Sequence, residues 1–418
     1  MRRIEAAVIG GGQAGLAMSR CLRDADVEHV VLERGRIGER WRSERWDSLR
    51  LLTPRWQSRL PGWSYRGDDP DGYMTRLELI RYLEDYATSF RAPIETGVTV
   101  TAVEPAEPGA EGYVVRTDRG DWHADHVVVA TGECQAAAVP GIAAGLSPDL
   151  VQAVPTRYRN PSQLPDGGVL VVGASSTGVQ LADEIHRSGR PVILSVGRHI
   201  RLPRTYRGRD ILWWFDRMRM LDERTSEMAD LEASMSQPSL QLVGSPDRRT
   251  LDLNVLHRAG VRIVGRAAAI HETRIVFDDD LVETTVGADV KLGRLRLRID
   301  AYARERGLDR EVEPPEPFVP VRLPDPPTSL DLADEGVRTV LWATGYRRDY
   351  PWLKVPVLDA RGEIVHEDGI TSAPGLYVLG LKLLRTRKSS FIDGVGPDAE
   401  AITEHLLALR RRRRSAVA

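Results

Sequence analysis

One pattern occurs twice in this chain and constrains its fold more than any other feature. It is an apolar strand, a glycine turn, a helix and a second apolar strand. In the first copy, Ile4-Glu5-Ala6-Ala7-Val8-Ile9 leads into Gly10-Gly11-Gly12-Gln13-Ala14-Gly15. A helix follows from Leu16, and His29-Val30-Val31-Leu32 ends in Glu33. In the second copy, Val169-Leu170-Val171-Val172 leads into Gly173-Ala174-Ser175-Ser176-Thr177-Gly178. The helix runs from Val179 to Arg187, and Pro191-Val192-Ile193-Leu194 ends in Ser195. Each copy has the shape of a dinucleotide-binding βαβ unit. Gly10 and Gly173 permit the tight turn. Gly12 removes a side chain where a pyrophosphate must approach the backbone, and Gly15 and Gly178 let the helix pack on the strand. The helix start, with Gln13 and Ala14 in one copy and Ser176 and Thr177 in the other, offers free N–H groups and a partial positive charge.

The copies diverge where cofactor choice is made. Glu33 lies 23 residues after Gly10, close to the spacing of about 20 at which an acid meets the adenosine ribose. Its neighbour Arg34 belongs to the same candidate site. In the second copy the middle glycine is Ser175, whose hydroxyl can substitute as a donor. The acid is replaced by Ser195, with Arg198, Arg201 and Arg204 close behind. A hydroxyl and arginines suit a 2′-phosphate that an acid would repel. The first unit therefore suits a retained FAD and the second an exchanging NADPH. Two further strands end in the same tripeptide, Ala130-Thr131-Gly132 and Ala343-Thr344-Gly345. Small residues there let the chain cross close to a bound dinucleotide.

Composition narrows the chemistry. The 418 residues hold 58 Lys+Arg against 60 Asp+Glu, a formal net charge of −2, which gives no general pull toward nucleic acid. No apolar run approaches the ~20 residues of a membrane span, and the N-terminus lacks a signal-peptide apolar region. A cytoplasmic protein is expected. The two cysteines, Cys21 and Cys134, form no Cys-x-x-Cys pair, and the nine histidines show no metal-ligand spacing. Redox chemistry then falls to an organic cofactor, with no metal. Near the C-terminus, Ser389 to Asp398 precedes a helix expected over Ala399–Arg410. The start of that helix is placed facing the flavin, with Asp393 beside the cofactor. The run Arg410 to Arg414 is expected to be frayed and solvated.

The chain resembles the flavin-containing monooxygenases, with their YUCCA-type and Baeyer–Villiger relatives. The likeness rests on Gly10–Gly15 with Glu33, Gly38-Glu39-Arg40-Trp41-Arg42, Trp46 to Pro54, Leu60-Pro61-Gly62, both Ala-Thr-Gly segments and Gly173–Gly178. It implies an α/β fold of two Rossmann-like domains, the NADPH domain inserted in the FAD domain. The expected boundaries are 1–160 and 331–418 for the FAD domain and 161–330 for the NADPH domain, with a helical excursion over 207–330. That excursion, with the aromatic run Trp213-Trp214-Phe215, would set substrate choice, or the run would be ordinary core. The resemblance further implies Trp41 and Arg42 beside the FAD, and Val98-Thr99-Val100 against the adenine. Thr53 would lie near the isoalloxazine, helping to hold a flavin C4a-hydroperoxide. The implied reaction uses NADPH and O2 to oxygenate a small organic substrate. The family's Phe-x-Gly-x-x-x-His-x-x-x-Tyr linker is not reproduced: Pro148, Leu150 and Val154 occupy its Phe, Gly and His places, and only Tyr158 fits. That departure keeps open a flavin dehydrogenase or oxidase that inserts no oxygen. Association as a homodimer is left open as well.

Overall fold

The structure, a computed structural model, describes residues 1–107 and 111–417, with side chains through residue 412. The two glycine-turn units build two separate sheets. Strands Ile94–Thr96, His29–Glu33, Arg2–Ile9, Trp122–Val129 and Leu376–Val378 lie side by side and parallel in the first. The ribbons Val100–Pro105 and Tyr113–Thr117 extend it from Trp122–Val129. The second sheet has the order Val151–Ala153, Val337–Trp342, Gly168–Val172, Val192–Ser195, Arg262–Val264, and all its pairings are parallel. Unbroken apolar runs such as Ala6–Val8 and Val169–Val171 are fully buried, as expected of central parallel strands covered on both faces.

Both sheets take one strand from outside the local run of chain. The first is completed by Leu376–Val378, and helix Val395–Val417 packs against helix Gln13–Asp24. The second takes Val151–Ala153 from before its own glycine turn. Two sequence boundaries are thereby corrected. Val337–Trp342 belongs to the second sheet, although it falls in the segment 331–418. Helix Leu253–Ala259 and strand Arg262–Val264 continue the second sheet, rather than forming part of an excursion. The added structure is mainly helix Ile211–Arg217 and the 25-residue helix Leu281–Glu305. Between them Trp214 is fully buried and donates from Nε1 to the Tyr206 carbonyl at 2.8 Å, so this tryptophan is core.

The C-terminal helix starts at Val395, four residues before its expected start, and its backbone continues to Val417 rather than fraying at Arg410. Arg410 pairs with Glu5 at 3.2 Å. The side chains of Arg413 and Arg414 lie outside the described residues. Among the described residues, no helix is long and apolar enough to cross a membrane.

Candidate functional site: two dinucleotide clefts and a third beside them

The first cleft, of about 550 Å³, opens at the carboxyl ends of the first sheet. Gly10, Gly12, Gln13, Ala14, Glu33 and Arg34 line one part of it, and Trp41, Val100, Ala130, Thr131 and Gly132 another. Gly10 has φ +114°, and a Cβ there would meet the Ala130 carbonyl oxygen at 2.5 Å. A Cβ on Gly15 would stand 1.8 Å from the Gly10 oxygen, so this glycine is the contact between turn and helix, behind the cleft. A Cβ on Gly12 would meet no protein atom within 4 Å, leaving the turn open on the cleft side. Glu33 is buried and accepts from the Gly11 N–H at 2.6 Å and the Gly35 N–H at 2.8 Å. Its carboxylate thus fastens the turn to the next loop and still faces the cleft with spare acceptor capacity.

The second cleft, of about 510 Å³, repeats this construction. Gly173 has φ +107°, and its Cβ would meet the Ala343 oxygen at 2.4 Å. A Cβ on Gly178 would stand 1.7 Å from the Gly173 oxygen. Ser175, Ser176, Thr177, Thr344 and Gly345 line the cleft. Ser175 makes no capping bond to its own helix, so its hydroxyl is not spent there. The segments behind the two Ala-Thr-Gly tripeptides pair with each other. Ala136–Ala137 and Tyr346–Arg347 form an antiparallel ribbon, and Thr344 Oγ1 donates to the Ala138 carbonyl at 2.6 Å.

Several expected residues do other work. Arg42 turns from the first cleft to pair with Glu84 and donates to the Ile37 carbonyl. Arg40 and Arg45 line the cleft in its place. Ser195 is 1% exposed, donates to the Gly265 carbonyl at 2.9 Å and accepts from the Ala267 N–H at 3.0 Å. It faces the second cleft, but its hydroxyl is used to pin the loop that carries Arg266 into that cleft. Arg201 is locked between Asp252 and Asp289, both at 2.6 Å, and Arg204 is buried against Asp210. Neither is free to meet a 2′-phosphate. Arg198 and Arg266 are the exposed cations of the second cleft.

Thr53 and Asp393 lie outside both dinucleotide clefts. Thr53 follows Leu52, whose carbonyl accepts from Arg204 Nη1 at 2.8 Å across the two units. Asp393 lines a third cleft of about 720 Å³ with Trp56, Arg59, Trp213 and Lys388. Its carboxylate is 2% exposed and Oδ1 has no hydrogen-bond partner. Burial pushes its titration up, against the opposing pull of Lys388 and Arg59. Loop residue Ser390 lines the first cleft, so the stretch 390–393 is the wall between the first cleft and the third.

The sequence reading missed Glu133, next after Gly132 and lining the first cleft. Burial pushes its carboxyl up to about 7, with Arg348 and Lys382 pulling the other way. It also missed Arg266. The available signal was position: both residues lie within four positions of the carboxyl end of a parallel strand, where such sheets bind ligands.

Residues 7–207 match the pyridine nucleotide-disulphide oxidoreductase family. An uncharacterized CzcO-like oxidoreductase of Geobacillus kaustophilus is 34% identical over 408 residues, covering 97% of this chain and 98% of that protein. The probable indole-3-pyruvate monooxygenase YUCCA9 of Arabidopsis thaliana is 28% identical over 211 residues, 48% of this chain and 49% of its own length. Among solved structures, a flavin-containing monooxygenase from Stenotrophomonas maltophilia superposes with a TM-score of 0.67 at 20% identity. It covers 98% of this chain and 99% of its own. That likeness is one of fold. With a third of its residues shared along nearly the whole length of the Geobacillus protein, the chain belongs to the CzcO-like oxidoreductases.

Proposed function

We propose that the chain is an FAD-dependent monooxygenase that uses NADPH and O2 to oxygenate a small organic molecule. The observation that carries this reading is the chemical contrast between two otherwise matching clefts. One has an unobstructed glycine at the turn and a carboxylate at the ribose position. The other has a serine at the turn and two exposed arginines. The first fits FAD and the second NADPH. Gly10, Gly12 and Gln13 would hold the FAD pyrophosphate, Glu33 its ribose, and Val98-Thr99-Val100 its adenine end. Ser175, Ser176 and Thr177 would hold the NADPH pyrophosphate, and Arg198 and Arg266 its 2′-phosphate. When bound, the flavin supplies hydride acceptance from the nicotinamide and electron delivery to O2.

The chain's own residues position and shield. The third cleft would admit the substrate, with Trp56 and Trp213 against its apolar body and the orphan Asp393 oxygen for a donor group. Thr53, fixed through the Leu52–Arg204 bond, would help line the reacting end. Glu133 would hold or release a proton near neutral pH at the edge of the first cleft. The two free cysteines, Cys21 and Cys134, are far apart in sequence and offer no redox pair for a disulfide reductase.

The test is a substrate panel scored for stimulated NADPH oxidation, with product mass measured after reaction under ¹⁸O2. One labelled oxygen in the product is expected. Slow flavin reduction at saturating NADPH and NADH would overturn the reading, and fast turnover without label would identify a dehydrogenase or oxidase instead. The cofactor choice has its own prediction. An Arg198→Ala, Arg266→Ala double variant should raise the KM for NADPH by about 10- to 100-fold, the worth of one or two charge-assisted bonds. The KM for NADH should barely move.

A further inference from the structure

The helix Leu281–Glu305 carries a face that the rest of the chain does not cover. Val282, Val286, Val290 and Leu297 are 65%, 55%, 47% and 70% exposed. Phe318 and Val319, on the segment packed beside this helix, are exposed too. The opposite face is ordinary core, with Leu292, Ile299 and Ala303 buried. An apolar stripe of this length along one helix is not explained by the fold of the single chain.

The arrangement of residues along the stripe identifies what covers it. About a point between Asp289 and Val290 the outer positions of the stripe are matched by apolar or small residues, with Val290 itself beside that point and Asp289 turned into the protein. Val282 answers Leu297, and Val286 answers Gly293, where a Cβ would meet nothing within 4 Å. The charges beside it are polarised. Glu283 stands near the start, while Arg294 and Arg298 stand in the second half. At about 100° per residue these three share one edge of the stripe. All three are exposed, and none has an ion-pair partner among the described residues. Asp279, also exposed, extends the acidic end.

We propose that two copies of the chain pair through this helix, antiparallel about a two-fold axis near Val290. In that arrangement the apolar stripes face each other. Gly293 admits the partner's Val286 closely, and each Glu283 meets Arg294 and Arg298 of the other copy. A parallel pairing would instead bring each edge of the stripe against the partner's other edge, and Glu283 would lie about 16 Å along the axis from Arg294. The contact is isologous, so every favourable pair occurs twice. The helix is about 37 Å long at 1.5 Å per residue. A face of that size sits at the small end of stable interfaces, and a concentration-dependent dimer follows.

Sedimentation velocity on the full chain tests this. The wild type should shift from monomer to dimer with rising concentration. Val290→Arg places two guanidinium groups at the axis and should leave only monomer, with thermal melting unchanged at concentrations low enough for the wild type to be monomeric too, because the site is exposed. Glu283→Arg should weaken the dimer by about tenfold or more, within the range measured for close interfacial charge pairs. Adding Arg294→Glu and Arg298→Glu to Glu283→Arg should restore it. The proposal is overturned by a wild type that stays monomeric to about 100 μM, far above a micromolar dissociation constant. It is equally overturned by a Val290→Arg dimer of unchanged stability, or by charge exchange that restores nothing.

Discussion

A Gly15→Ala protein should emerge without flavin and with a damaged first unit, while Gly12→Ala should fold normally and lose only its hold on the flavin. The difference lies in what each new methyl group meets. At Gly15 it would stand 1.8 Å from the Gly10 carbonyl oxygen, and backbone on both sides prevents relief. At Gly12 it would meet nothing in the protein and would fill only the space assigned to the pyrophosphate. Gly178→Ala is the matching case in the second unit, with 1.7 Å to the Gly173 oxygen. That variant should retain FAD, but its KM for NADPH should rise by about 100-fold or more, equivalent to some 2.7 kcal/mol. Flavin absorbance of the purified proteins and stopped-flow reduction by NADPH measure both effects. Equal flavin content in Gly12→Ala and wild type would remove the pyrophosphate from the first turn.

Arg204→Ala should be the most destabilising of the arginine substitutions, by about 3–5 kcal/mol, the usual result of stripping one partner from a buried ion pair. Arg204 is 1% exposed. Its guanidinium pairs with Asp210, donates to the carbonyls of Leu52 and Val243 at 2.8 and 3.3 Å, and lies 4.9 Å from the centre of the Tyr73 ring. Tyr73 in turn donates to Asp210 at 2.6 Å. Removing the cation leaves the Asp210 carboxylate without its counter-charge, held only by the Tyr73 hydroxyl and the Leu212 N–H, and takes the guanidinium donor from two carbonyls. The change also releases the Leu52-Thr53 segment from the second unit, so coupling of NADPH oxidation to product should fall along with the urea midpoint. Arg204→Lys cannot reach three acceptors at once and should recover only part of either. An unchanged midpoint would show that the Asp210 network is not what joins the units.

Much of this could be read from residue order, because the strongest signals were local. A glycine that must approach a carbonyl, or a run of apolar residues ending in a small-residue turn, carries its reason within a few positions. Gly10, Gly15, Gly173 and Gly178 sit where their spacing placed them for that reason. The failures were failures of direction. Arg201 and Arg204 follow Ser195 as closely as Arg198 does, but a long side chain reports nothing in sequence about which way it points. Asp252, Asp289 and Asp210 are distant or unpatterned neighbours that claim them first. Ser195 had the right position and a different task, set by a loop some 70 residues later. Arg266 follows the edge strand Arg262–Val264 of the second sheet, a strand too short and too plainly bounded to stand out within 207–330.

The recruitment by each sheet of a strand distant in the chain bears on the order in which this chain acquires its structure as it is synthesised. The second sheet has all its strands once residue 342 has been made. The first sheet, although its glycine turn is translated at the outset, waits for Leu376–Val378 and then for the helix that covers Gln13–Asp24. Domains fold as units when their last element appears. The nascent protein therefore completes the sheet behind the second cleft before the sheet behind the first, and on the proposed assignment a chain that stops short of the final forty residues should bind NADPH but retain no flavin.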